Sequence, residues 1–83
     1  MSEISRVNNT IANNLTNKVN YLAISTSLKK SLIMDINKEL IKANSIDESI
    51  DNNFIYHTEK FISECRQIRI IKSRWYYDII RLY

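Results

Sequence analysis

The sequence predicts an all-α protein, a small helical bundle in which two shorter helices pack on a long C-terminal helix and the whole dimerises. Three observations predict it. The 83 residues contain neither glycine nor proline, where average usage of about 7% and 5% would give roughly ten of the two together. Apolar residues recur at intervals of three and four along most of the chain, which places them on one side of a helix. Serines suited to N-capping stand before each periodic stretch, at Ser2, Ser25 or Ser27, and Ser45. A chain built mainly of tight hairpins rarely avoids glycine altogether. Phosphate-cradling loops, dinucleotide turns and nucleophile elbows are excluded outright because each requires glycine at fixed positions.

The whole chain, 1–83, reads as one domain with helices over about 2–22, 27–44 and 46–82. The first carries Ile4, Val7, Ile11, Leu15, Val19 and Leu22 on a narrow stripe, closer to a coiled-coil seam than to the broad face of a buried helix. Arg6, Thr10, Asn13, Asn17 and Asn20 make the opposite face wholly polar. The Ser25-Thr26-Ser27 run then favours a cap over a helix interior. The second helix presents Leu28, Leu32, Ile33, Ile36, Leu40 and Ala43, while Met34 and Ile41 point away as a second contact surface.

Asn44, which tolerates the left-handed conformation, is expected to close that helix. Ser45-Ile46-Asp47-Glu48 matches a capping box that would open the third. Asp47, Glu48 and Asp51 would then complement the helix dipole. The third helix gathers Ile50, Phe54, Phe61, Cys65, Ile68, Trp75, Tyr76 and Ile79 on its main face, with Ile55, Ile62 and Ile80 at one edge. Lys72 falls near the centre of that face, so either the face bends around it, its side chain snorkels, or a carboxylate from another helix or subunit, such as Asp35 or Glu39, meets it. Unbroken, such a helix is about 55 Å long, twice the length of either partner. That excess, the narrow stripe on the first helix and the extra apolar residues on the second predict self-association through Ile4, Ile11, Leu15, Met34 and Ile41.

Net charge is +3, too small to demand a polyanion partner. It is uneven, with an acidic stretch over residues 44–59 and a basic end after it. Fifteen Ile, ten Asn and seven Lys give the composition a bias toward A/T-rich codons. A single cysteine, no signal-peptide pattern at the first residues, and no apolar run near the roughly 20 residues of a membrane span give the expectation of a reduced, cytoplasmic protein with no membrane partner.

Catalytic and metal chemistry find no support. Cys65 and His57 are eight residues apart, about 12 Å along one helix, beyond hydrogen-bond reach. Cys65 reads as a small core residue and His57 as a packed or interface residue at the edge of the apolar face. One Cys and one His do not make a zinc site. The expectation is a non-enzymatic chain with no catalytic residue, cofactor or metal.

The C-terminal stretch carries the strongest binding signal. Arg66, Arg74, Tyr77 and Arg81 share one side of the third helix, and residues 74–83 hold the only Trp and three of the five Tyr. Trp, Tyr and Arg dominate interface hot spots. Arg66, Arg74, Trp75, Tyr77 and Arg81 are therefore the candidate partner-binding residues. The expected function is protein binding, of the kind a small phage or mobile-element accessory protein uses to inhibit or regulate a nucleic-acid-handling complex. The alternative is direct DNA or RNA binding by the same arginine and aromatic strip.

Overall fold

The computed structural model describes residues 2–66. Those residues form three helices and no strand. α1 runs Glu3–Asn20 and α2 runs Thr26–Ser45. α3 begins at residue 52 and is described through residue 66. The third helix beyond that point, with Ile68, Lys72, Tyr76, Ile79 and Ile80, lies outside the described residues.

Local chemistry sets the ends of α1 and α2. The Ser2 hydroxyl accepts from the Ser5 N–H at 3.0 Å, and the Ser25 hydroxyl accepts from the Leu28 N–H at 3.2 Å. Each satisfies one of the orphan donors of a first turn. At the far end of α1 the Lys29 ammonium donates to the Asn20 carbonyl at 2.8 Å, placing a cation where the helix dipole is negative. That bond ties the end of α1 to the start of α2. The Ser2 hydroxyl, donating to Asp47 Oδ1 at 2.8 Å, ties the start of α1 to the turn after α2. The two helices are therefore antiparallel. α3 runs alongside α1 in the same direction, since the Ile50 N–H reaches Asn8 and Lys18 pairs with Glu59 at 3.2 Å.

Ala12, Leu15, Val19, Leu22, Ile36, Ala43, Ile50 and Ile62 form the buried core, with Ile11, Leu32, Ile33, Leu40, Phe54, Ile55 and Cys65 packed against it. On α1 the buried face is turned from the one the apolar spacing predicts. Leu15, Val19 and Leu22 are inside as expected, but toward the N-terminus the chain buries Asn8 and Ala12 while Val7 is 46% exposed. α3 shows a similar rotation: Ile62, expected at the edge, is buried, whereas Phe61 and Cys65 are only half-buried. His57 is exposed in the chain, so it is not packed into its own core, and the Tyr56 ring stands edge-on to it at 5.5 Å; its reading as an interface residue is untouched by this.

Asn8 explains the rotation of α1. Its side chain is fully buried. Its Nδ2 donates to Asn44 Oδ1 at 3.0 Å and to the Glu48 carbonyl at 2.8 Å, and its Oδ1 accepts from the Ile50 N–H at 3.0 Å. The N-terminal half of α1 faces the last turn of α2 and the connection that follows it. Buried peptide groups in a turn need polar partners, and a carboxamide supplies donor and acceptor at once. Asn44 also donates to Asn9 Oδ1 at 3.4 Å. Bridges between side chains this short require close backbones, and Ala12 and Ala43, a turn or less away, are small enough to allow it.

The same network displaces the expected capping box. Asn44 stays helical, because its side chain is engaged with α1, and α2 continues to Ser45. The Ser45 hydroxyl donates back to the Lys42 carbonyl at 2.8 Å instead of opening a new helix. Among the described residues the one with positive φ is Asp47, at 51°. The Glu48 N–H bonds the Ala43 carbonyl at 3.0 Å and the Asp47 N–H bonds the Asn44 carbonyl at 3.3 Å, the paired bonds of a Schellman motif with aspartate where glycine is usual. Asp51 caps α3: its Oδ1 accepts from the Asn53 N–H at 2.8 Å and its carbonyl from the Ile55 N–H at 3.1 Å. So Asp47 and Glu48 belong to the connection, and Asp51 alone of the three acidic residues serves the helix dipole.

Two outcomes follow from this geometry. Asn8→Ala strands the Ile50 N–H and the Glu48 carbonyl and should lower stability by about 2–4 kcal/mol in urea titrations. Asp47→Gly removes a left-handed penalty in exchange for one exposed hydrogen bond to Ser2. It should raise stability by about 0.5–1 kcal/mol, a few degrees in Tm.

Candidate functional site

The five residues read as an oligomer surface separate in the structure. Leu15 is 2% exposed within the chain's own core, and Ile11 packs against that core. Leu15 therefore presents nothing to a second copy, because α2 and α3 already occupy the α1 stripe. Ile4 is at the edge of exposure. Met34 and Ile41 are 70% and 69% exposed, and no part of the described chain covers them.

The reason lies in the α2 pattern. Ile36 and Ala43 are buried, and Leu32, Ile33 and Leu40 flank them. Met34 and Ile41 are seven residues apart, so they stand nearly in line, about 10 Å from one another on the opposite side of the helix. Lys38 falls between them, and Lys30 lies one turn before Met34. Lys30, Lys38 and Lys42 are exposed and enter no ion pair among the described residues. The result is a band of alternating cation and apolar side chain along the outer face of α2.

Of the candidate partner-binding residues, Arg66 is exposed at the last described turn of α3. It lines an open hollow with Lys18, Glu59, Ile62 and Ser63. Arg74, Trp75, Tyr77 and Arg81 lie outside the described residues. A neighbouring hollow on α3 is lined by Tyr56, Glu59, Lys60, Ser63 and Glu64. Both are shallow, whereas small-molecule sites are enclosed and convergent. Among the described residues no group of three or more His, Cys, Asp and Glu could hold a metal ion, and no helix is long and apolar enough to cross a membrane. Every buried side-chain nitrogen and oxygen among them has a hydrogen-bond partner. Asn8, the one buried polar residue among those described, is therefore structural.

No family model matches this chain, and neither the curated proteins nor the solved structures give a match. What the described residues define is a three-helix arrangement in which they leave Met34 and Ile41 on the outer α2 face uncovered.

The two roles of α2 separate by mutation. Met34→Ser and Ile41→Ser should each change stability by no more than about 0.5 kcal/mol, whereas Ile36→Ala should cost about 2–5 kcal/mol, read from denaturant midpoints at constant m.

Proposed function

We propose that the chain is a non-enzymatic docking module, an accessory protein that acts by binding another protein. The observation that carries this reading is the pair Met34 and Ile41, two large apolar side chains each about 70% exposed and aligned on one helix face. Single exposed hydrophobics are ordinary, but an aligned pair on an otherwise polar face is how helices present anchors to a partner. Arg66, with Arg74, Trp75, Tyr77 and Arg81 by their residue types, extends the proposal to the C-terminal part of the chain. Self-association is the narrower form of the same proposal. With Leu15 committed to the core and lysines framing Met34 and Ile41, it rests on the aromatic C-terminal stretch.

A photo-crosslinking residue at position 41, and separately at the exposed position 13 on α1, tests the reading in the cells that make the protein. Position 41 should give discrete protein adducts that excess unlabelled chain competes away, and position 13 should not. Equal adducts from both positions, none from either, or adducts with nucleic acid would contradict it. In the last case, duplex affinity should also fall steeply with salt.

A further inference from the structure

We propose that the outer face of α2 docks an acidic amphipathic helix of a different protein. This rests on the docking reading above and adds the chemistry of the partner. Lys30, Met34, Lys38 and Ile41 succeed one another at intervals of four, four and three, so they form one continuous band, and Lys42 lies beside it. The three lysines are exposed and without an ion-pair partner among the described residues. The two ion pairs of the described chain, Arg6 with Glu3 and Lys18 with Glu59, are elsewhere. A partner that covers Met34 and Ile41 must also come against these ammonium groups. Carboxylates at the flanks of its apolar stripe would meet them, and such charge matching sets both encounter rate and orientation.

The same band disfavours pairing with the same face of a second copy. An antiparallel twofold pairing that sets Met34 against Ile41 of the other copy places the axis between residues 37 and 38. The two Lys38 ammoniums then stand side by side at the centre of the contact. A parallel pairing sets each lysine against its own counterpart. Like charges at the middle of an interface select against that partner. A lipid surface is a poor occupant as well, because two apolar side chains are far fewer than an interfacial helix buries.

The test uses the full chain and two synthetic helical peptides with an identical leucine stripe, one flanked throughout by glutamate and the other by lysine. Fluorescence anisotropy should show the glutamate peptide binding at least about 10-fold tighter. About 0.5 M salt should erase most of that preference. Met34→Ser and Ile41→Ser should weaken binding of the glutamate peptide about 10-fold or more, and Lys38→Glu should shift preference toward the lysine peptide, with circular dichroism confirming that each variant remains helical. Equal affinity for the two peptides, no binding of either, or binding unchanged in the variants would overturn the proposal. So would capture by anionic phospholipid vesicles in place of the peptide. Crosslinks from position 41 that map to a non-acidic segment of another protein would end this proposal while leaving the docking reading intact.

Discussion

The described fold depends on one buried carboxamide. Asn8 accepts from the Ile50 N–H and donates to Asn44 and to the Glu48 carbonyl. Through those bonds a single α1 side chain holds the end of α2, the connection and the approach to α3. Its burial would cost several kcal/mol if the group were unpaired. Paired, it fixes a geometry that non-directional apolar contacts leave free to slide. The register of α1 against α2, the exit of the chain from α2 and the line along which α3 returns are all consequences. The Schellman turn with its left-handed Asp47 sits inside this frame, since the peptide groups that turn exposes inward are the ones Asn8 satisfies.

The helical class was legible because it rests on composition and spacing, which tertiary context cannot alter. The cap at Ser2 was legible because a hydroxyl just before a periodic run commonly caps it, and the second cap was narrowed to Ser25 or Ser27, of which Ser25 is the one used. The orientation of α1 was not legible in full. Spacing alone ranks Ile4 and Val7 as interior and any asparagine as exterior, and it carries no information about peptide groups elsewhere in the chain that need a partner. Asn8 was missed on that account. Its signal in the sequence is faint, a single asparagine one helical turn before Ala12 on the flank of the apolar stripe. The capping box at Ser45 failed on similar grounds, because a four-residue motif competes with Asn44, whose bonds to α1 hold that turn of α2 helical.

The surface shows the converse case. Met34 and Ile41 were identifiable from the sequence as facing away from the α2 core, because two apolar residues seven apart on a polar face conflict with the main stripe. The structure adds that nothing in the described chain resolves the conflict and that unpaired lysines frame it. Leu15 shows why spacing alone overstates a self-association surface. A stripe that resembles a coiled-coil seam is satisfied just as well by helices of its own chain, and here α2 and α3 satisfy it.

The central claim is that the Asn8 bonds lock the connection between α2 and α3 as firmly as the core itself. Native-state hydrogen exchange of the Ile50 amide tests this most directly. If Asn8 is the lock, that amide exchanges only when the whole domain opens, with a free energy equal to that of the buried α2 amide at Ile36. Exchange of Ile50 by a local opening, orders of magnitude faster than Ile36 under the same conditions, would contradict the account.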